Sequence, residues 1–196
     1  EVLLRSYNLV NSAKDEVIGI EADSMSVGAN AITWTFKGNS MNQIWTPVRC
    51  SNGSYYLKNY QTGLVLSVKN GALVQTTLNE SEAAQNWTAT LKEDGTVILC
   101  NCETGMYLTA ADGSHSLILS ETNDALAQRW QFRTVADDGK AFSPDCPHAN
   151  KTHVEAKDAT CTQLGNKDYW HCEDCGQNFS DENCQNVLDS VTIPAE

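Results

Sequence analysis

The feature that most constrains this chain is a short phrase that occurs three times at a nearly fixed spacing. A glutamine and a tryptophan separated by one residue recur at intervals of 42 and 43 residues. The three copies are Gln43-Ile44-Trp45, Gln85-Asn86-Trp87 and Gln128-Arg129-Trp130. An alternating phrase precedes each copy, in Tyr7–Asn11, Tyr55–Asn59 and Val97–Asn101. A period of about 20–50 residues indicates a repeat architecture, so we predict one threefold-repeated domain over residues 1–136.

Within each repeat, turn signals separate short β-prone runs. In the second repeat, Gln61-Thr62-Gly63 and Lys69-Asn70-Gly71 flank the run Val65–Val68, and Leu73–Thr77 follows. No stretch of the repeats has the periodicity of an amphipathic helix. Turns spaced about 8–12 residues apart are typical of all-β domains. The sequence therefore predicts an all-β fold with about four short strands in each repeat.

Three copies of about 42 residues, each ending in Gln-x-Trp, resemble the ricin-type β-trefoil lectin family over residues 5–135. The resemblance implies a six-stranded barrel capped by three hairpins, with threefold pseudo-symmetry. It also implies that Trp45, Trp87 and Trp130 fill a shared core and that each Gln side chain satisfies buried backbone groups. The function that the resemblance implies is carbohydrate binding.

The family's sugar-binding pattern is incomplete in this chain. A galactose-binding repeat of the family carries an Asp in its second strand, an aromatic residue that stacks on the sugar, and an Asn just before Gln-x-Trp. The Asp positions hold Gly19, Ser67 and Thr109. The aromatic positions, counted back from each Gln, hold Thr35, Thr77 and Ser120. The Asn positions hold Asn42, Ala84 and Ala127, so the galactose sites are expected to be degenerate.

The first repeat is nevertheless the best candidate for a sugar site. Asn42 matches the family's Asn, and Trp34 and Phe36 flank the aromatic position. Glu21 and Asp23 lie just past the missing Asp. We therefore take Asp23, Trp34 and Asn42 as the candidate sugar-binding residues.

Two structural interpretations compete with this site. The alternation of Ile32, Trp34 and Phe36 favours a strand whose aromatic residues face inward as core, with the threonines between them outward. A similar polar pair in the third repeat, Asp112 and His115, is interpreted as turn chemistry.

The tail, residues 146–196, concentrates potential metal ligands and follows a turn-rich linker over residues 137–145. The ligands are Cys146, His148, His153, Cys161, Cys172, Cys175 and Cys184. A Cys-x-x-Cys-Gly turn, such as the one that begins at Cys172, offers two thiolates to one ion. A segment of about 50 residues with few large apolar side chains cannot offset its chain entropy by burial alone. The tail is therefore expected to be a small domain stabilised by a metal or by disulfides.

The tail also resembles a small cysteine- and histidine-bearing repeat module of Gram-positive surface proteins. The matching segments are Cys146-x-His148, Ala159-Thr160-Cys161-Thr162, Tyr169-Trp170-x-Cys172-x-x-Cys175-Gly176 and Ile193-Pro194-Ala195. The resemblance implies that zinc binds His148, Cys161, Cys172 and Cys175, with Cys146 and His153 as substitutes. Four protein ligands leave no open position, so this zinc would be structural. A disulfide framework, or zinc combined with a Cys146–Cys184 bridge, remains open.

Composition and motifs narrow the function further. The net charge of −12 argues against a nucleic-acid partner, since such partners normally carry basic patches. No apolar run is long enough to insert into a membrane. Nucleophile elbows, His-Glu-x-x-His pairs and phosphate-binding loops are missing, so we do not expect an enzyme. We expect a weak glycan-binding module, monomeric within a larger secreted or cell-surface chain; the alternative is a structural or protein-interaction module without sugar binding.

Overall fold

The computed structural model describes residues 5–38, 40–135, 146–161, 163–188 and 191–194. The predicted linker, residues 137–145, lies outside the described residues. The first repeat contains β1 (Tyr7–Asn11), β2 (Val17–Ile20), β3 (Ala31–Trp34) and β4 (Trp45–Arg49). The second contains β5 (Tyr55–Asn59), β6 (Val65–Lys69), β7 (Ala72–Thr76) and β8 (Trp87–Leu91). The third contains β9 (Val97–Asn101), β10 (Tyr107–Ala110), β11 (Leu117–Ser120) and β12 (Trp130–Thr134).

The prediction of four strands in each repeat is confirmed, and their pairing closes a barrel. The first and last strands of the repeats pair in the cyclic order β1-β4-β5-β8-β9-β12, and β12 returns to β1. The two middle strands of each repeat form a hairpin, as β2–β3, β6–β7 and β10–β11. A six-stranded barrel with three hairpins is the β-trefoil arrangement that the resemblance to ricin-type lectins implied.

The repeated tryptophans occupy equivalent places in this barrel. Each one pairs across strands with the Asn that ends the alternating phrase: Trp45 with Asn59, Trp87 with Asn101, and Trp130 with Asn11. All three indoles are fully buried in one core cluster. Their Nε1–H groups donate to the carbonyls of Ile18, Leu66 and Leu108 at 3.0, 3.1 and 3.0 Å. The core role predicted for the three tryptophans is confirmed.

The glutamines of the repeated phrase close the loops beside the core, as predicted. Gln43 Oε1 accepts from the Lys37 amide at 2.8 Å, and its Nε2 donates to the Thr35 carbonyl at 3.0 Å. Gln85 and Gln128 make the corresponding pairs of bonds in their own repeats. Each Gln ends a short 3-10 turn, in Met41–Gln43, Ala83–Gln85 and Leu126–Gln128, and a further 3-10 turn follows β2 at Glu21–Asp23.

Strand β3 faces the opposite way from the alternation prediction. Thr33 is fully buried, whereas Trp34 is 42% exposed and Phe36 is 41% exposed. The reason is register: β3 pairs with β2 so that Ala31 and Thr33 lie opposite Ile20 and Ile18 of the core cluster, which leaves Trp34 on the other face of the strand. The interpretation of Trp34 and Phe36 as core residues is therefore wrong, and the indole of Trp34 is available at the surface.

The tail forms two small antiparallel sheets. They consist of β13 (Lys151–Val154), β15 (Tyr169–Cys172) and β16 (Asn178–Phe179), and of β14 (Gly165–Asn166) and β17 (Thr192–Ile193). The tail lies against the trefoil, because Val187 packs on the cluster of Val48, Tyr56 and Val65. Among the described residues, no helix has the length and apolar character of a membrane span.

Candidate functional sites

A cavity in the first repeat brings the three candidate sugar-binding residues together. Its volume is about 320 Å³, near the lower end of the range for small-molecule pockets. Asp23, Trp34 and Asn42 all line it, as do Glu21 and Lys37. The cavity lies between the hairpin β2–β3 and the 3-10 turn before Gln43. The sequence reasoning did not select Lys37, although this residue lies between the candidate residues Trp34 and Asn42 in the sequence.

Asn42 is a buried support of this cavity. Its Oδ1 accepts from the Ile20 amide at 3.1 Å. Its Nδ2 donates to the Asp23 carboxylate and, at 3.0 Å, to Ser40 Oγ. An amide nitrogen has two hydrogens, so these two bonds use both of them. Asn42 therefore holds Asp23 in place rather than offering its NH2 group to a ligand.

The turn that presents Asp23 has an unusual backbone. Ala22 has a φ of 55° and Asp23 a φ of 53°, both in the left-handed region. This region is uncommon for residues that carry a Cβ, and such strain persists only where the surroundings fix the conformation. Here the Asn42 amide provides a contact that fixes the carboxylate at the edge of the cavity.

Gly19, at the position of the family's Asp, has no room for a side chain. A Cβ placed there would lie 2.6 Å from Asn42 Oδ1 and 3.1 Å from Gln43 Cγ. The first repeat thus combines a glycine in its second strand with a large side chain at the position before Gln-x-Trp. The other repeats combine Ser67 with Ala84 and Thr109 with Ala127.

In the third repeat, the polar side chains at the corresponding position form hydrogen bonds with one another. Thr109 Oγ1 lies 2.7 Å from Ser120 Oγ, and Gln128 Nε2 donates to Ser120 Oγ at 2.8 Å. The first repeat brings together a carboxylate (Asp23), an amide (Asn42) and an exposed indole (Trp34).

A second cluster, in the tail, has the composition of a metal centre. Cys146, His148, Cys172 and Cys175 offer ligand atoms that all lie within 4.8 Å of one another. Cys146 Sγ is 3.7 Å from Cys172 Sγ, and Cys175 Sγ is 3.5 Å from His148 Nδ1. Tetrahedral zinc with bonds of about 2.3 Å to sulfur and about 2.0 Å to nitrogen requires ligand separations of roughly 3.5–3.8 Å. The residues present therefore fit a tetrahedral zinc ion.

Local structure explains how these ligands meet. Cys172 ends β15, and the following turn returns Cys175 to it, with the Gly176 amide donating to the Cys172 carbonyl at 2.8 Å. Gly176 has a φ of 73°, and a Cβ there would lie 2.6 Å from Arg5 Nε of the trefoil. His148 packs its ring on Phe179 at a centroid distance of 4.7 Å.

The expected ligand set differs from this cluster at one residue. The structure brings together His148, Cys172 and Cys175, but Cys161 is exposed and lies outside the group. Cys146, the substitute, takes its place, because the segment before β13 returns against the Cys172–Cys175 turn. All eight cysteines are free thiols in the structure, including Cys146 and Cys184.

The protonation of the cluster follows from its surroundings. Burial raises the pKa of the Cys146 and Cys175 thiols. Burial, and then the charge of Arg49, lowers the pKa of His148. Arg49 Nη1 lies 2.6 Å from His148 Nε2; because a guanidinium only donates, Nε2 accepts and the ring proton lies on Nδ1. The uncharged cluster would release protons on binding a metal.

Comparison with known proteins agrees with this fold. Residues 4–78 match a family model described as "Ricin-type beta-trefoil lectin domain-like". No curated protein sequence matches the chain. The designed threefold-symmetric protein ThreeFoil is 27% identical, with a TM-score of 0.61, over 67% of this chain and 98% of its own.

Two clostridial glycosidases contain a similar fold. A GlcNAcα1-4Gal-releasing endo-β-galactosidase from Clostridium perfringens is 19% identical, with a TM-score of 0.60, over 68% of this chain and 33% of the enzyme. An exo-β-1,3-galactanase from Clostridium thermocellum is 23% identical, with a TM-score of 0.61, over 66% of this chain and 30% of the enzyme. This chain therefore matches about a third of each enzyme, and at these identities the likeness concerns the fold.

Proposed function

We propose that the trefoil is a carbohydrate-binding module whose glycan site is the cavity of the first repeat. The observation that carries this proposal is the presence of an exposed indole and a fixed carboxylate in one cavity. Trp34, Asp23 and Lys37 all line it. The match of residues 4–78 to a lectin-domain model supports the same function.

The chemistry of the lining suits a sugar ring. The flat face of an indole packs on the apolar C–H face of a pyranose, while its rim stays wet. The Asp23 carboxylate accepts hydrogen bonds from sugar hydroxyls, and the Lys37 ammonium donates to ring or hydroxyl oxygens. Asn42 acts by holding Asp23. The site therefore has its carboxylate on the turn after β2 rather than in β2 itself.

Galactose-containing glycans are the first ligands to test, since both clostridial enzymes are named for galactose-containing substrates. With the family's Asp position empty at Gly19, we expect weak binding, with a Kd of about 1 mM, equivalent to about −4 kcal/mol.

The experiment is an NMR titration of the 15N-labelled chain with galactose, N-acetylgalactosamine and lactose. Binding should shift the indole signal of Trp34. Trp34→Ala and Asp23→Asn should each abolish saturation. Phe36→Ala is a matched control, because Phe36 is equally exposed, at 41%, and is not among the residues that line the cavity. Shifts that are absent, or that survive Trp34→Ala, would contradict this site.

The alternative function is a structural or protein-interaction module. The contact of the tail with the trefoil through Val187 and Arg49 favours it. A chain that responds to no glycan at millimolar concentration would support this alternative.

We also propose that the tail binds a structural zinc ion through Cys146, His148, Cys172 and Cys175. Three thiolates and one imidazole close the coordination sphere, and zinc bound this way supplies folding energy rather than catalysis. A His148 ring that bound zinc through Nδ1 would carry its proton on Nε2, and the Arg49 guanidinium could then no longer donate to that atom.

The test is the zinc content of protein purified without added metal. One equivalent is expected in the wild type. Cys146→Ser should lose the metal, while Cys161→Ser, at the exposed cysteine, should retain it. The reverse pattern would restore the ligand set that includes Cys161, and less than a tenth of an equivalent in the wild type would exclude the site.

We further propose that this chain works as a monomeric module of a larger secreted or cell-surface protein, without nucleic-acid or membrane partners and without catalytic activity of its own. Residues 1–136 would form the trefoil, 137–145 a linker and 146–196 the tail module. The match to about a third of each clostridial enzyme supports such a modular role. Light scattering that gives a dimer mass would contradict the monomer.

A further inference from the structure

We propose that His115, from the third repeat, is a positioning residue for Trp34, so that the glycan site is a composite of the first and third repeats. This inference rests on the proposed carbohydrate binding and specifies which part of the chain prepares the stacking surface.

The imidazole of His115 lies against the indole of Trp34. Their ring centroids are 4.2 Å apart, with an angle of 51° between the planes. Trp34 lines the sugar cavity, whereas His115 is not among its lining residues. The histidine therefore contacts the indole without lining the cavity itself. A glycan in the cavity would meet an indole that is already packed against this imidazole.

The backbone of His115 is fixed to the first repeat. Its carbonyl accepts a hydrogen bond from the Thr33 amide at 2.8 Å. The next residue, Ser116, forms a β-bridge with Ile32. Ser114, on the other side, accepts from the ammonium group of Lys14 through its carbonyl. The loop of the third repeat that carries His115 thus extends the edge of β3.

The side chain of His115 is fixed as well. Its Nδ1 lies 3.0 Å from Glu16 Oε1. Burial alone would raise the pKa of Glu16, but the neighbouring Thr33 hydroxyl and the His115 imidazole outweigh it and lower that pKa. Glu16 is therefore ionised at neutral pH and accepts from the imidazole. With the ring held by the backbone and by a carboxylate, it restricts the rotation of Trp34.

The orientation of Trp34 matters because the side chain is 42% exposed. Without a supporting contact it would sample several rotamers in the free protein and lose that freedom when a glycan binds. Fixing one such side chain in advance avoids a cost that corresponds to about a three- to tenfold difference in affinity. Truncating His115 should weaken glycan binding by this factor. The barrel core should not be affected, since His115 lies outside the core cluster.

The chain contains a matched control for this arrangement. In the tail, His153 lies on Trp170 at a centroid distance of 4.7 Å, and its Nε2 is 3.0 Å from Asp168 Oδ2. This second group has the same composition of histidine, tryptophan and carboxylate but does not line the sugar cavity. His153→Ala therefore removes an equivalent ring without touching the proposed site.

The experiment compares His115→Ala, His115→Phe and His153→Ala in the full chain, titrated with galactose, N-acetylgalactosamine and lactose. The order parameter of the Trp34 indole N–H, measured before sugar is added, reports orientation directly. We expect His115→Ala to lower this order parameter and to weaken binding about three- to tenfold. His115→Phe keeps a ring against the indole and should restore both, while His153→Ala should change neither.

Two results would overturn the inference. One is an unchanged Trp34 order parameter in His115→Ala, and the other is wild-type affinity in that variant. If the wild type binds no sugar, the proposed function fails, and the composite glycan site fails with it. In that case the order parameter in the free protein still decides whether His115 orients Trp34.

Discussion

Replacing Gly19 by alanine should destabilise the trefoil only while Asn42 is present. Gly19 lies in the middle of β2, where its backbone is extended and an alanine is conformationally acceptable. The obstacle is steric, because the new Cβ would lie 2.6 Å from Asn42 Oδ1. Asn42 must move to relieve this contact, and its bond from the Ile20 amide is then lost.

The magnitude follows from that lost bond. A buried donor without a partner costs about 1–3 kcal/mol. Replacing glycine by alanine in a permitted conformation returns about 0.4–1 kcal/mol by restricting the unfolded chain. Gly19→Ala should therefore lower the free energy of unfolding by about 1–2 kcal/mol. Asn42→Ala alone removes the same acceptor and should cost about 1–3 kcal/mol.

The double variant separates this mechanism from a general intolerance of β2 to substitution. In the Asn42→Ala background, the Cβ at residue 19 retains only the softer 3.1 Å contact with Gln43 Cγ. Gly19→Ala should then be neutral or stabilising by up to about 1 kcal/mol. The effect of one substitution changes sign, which corresponds to a coupling energy of about 2 kcal/mol.

The assay is equilibrium urea unfolding of the four proteins at equal zinc content, with the slope checked for constancy. Gly38→Ala is a control for the entropic gain, because a Cβ there meets only the Phe36 ring at 3.9 Å. Additive effects of Gly19→Ala and Asn42→Ala would refute the steric argument. A single Gly19→Ala variant as stable as the wild type would refute the position assigned to the Asn42 side chain.

Three further predictions address the core, the tail and the surface. Trp87→Ala should lower the free energy of unfolding by about 3–5 kcal/mol, measured by urea, because the indole is fully buried. Removal of metal by a chelator should abolish the chemical-shift dispersion of the tail amide signals. The dispersion of the barrel signals should remain, because the core cluster of the barrel contains no tail residue. Hydrogen bonds from Thr96, and then Arg129, lower the pKa of Asp94 from 3.8 to about 2. Its stabilising effect should thus persist above pH 3.8 and vanish as the pH falls through about 2, and carboxyl NMR titration should show a higher midpoint in Arg129→Ala.

The architecture was predictable because its determinants recur within the sequence. Each Trp of the repeated phrase has to find the same three kinds of partner: the core, a carbonyl of the second strand and the Asn that ends the alternating phrase. Three copies of one solution, spaced at 42 and 43 residues, indicate a threefold-repeated domain, and the resemblance to ricin-type lectins implied the closed barrel. The glutamines follow from the same requirement, since the buried backbone groups of each loop need a partner.

The orientation of β3 was not predictable from alternation. A period of two defines two faces of a strand but does not say which face meets the core. In this strand Thr33 is buried and Trp34 is exposed, because pairing with β2 and the loop that carries His115 decide the orientation. Likewise, the spacing of Cys-x-x-Cys marks two candidate ligands, but which upstream cysteine lies beside them depends on how the chain folds back. The structure places Cys146 there and leaves Cys161 exposed.

The first repeat differs from the other two at a pair of positions, and the structure gives a steric reason for the difference. Where the second strand has a side chain, in Ser67 and Thr109, the position before Gln-x-Trp is alanine. Where that position is Asn42, the strand has Gly19. The two positions touch, so they share one limited volume, and in the first repeat Asn42 fills it. With Asn42 in the orientation that it has here, a side chain at residue 19 would meet its Oδ1. The proposed site instead has the carboxylate of Asp23, which is bonded to that same asparagine. It follows that restoring an aspartate at residue 19 should disrupt this site instead of repairing it.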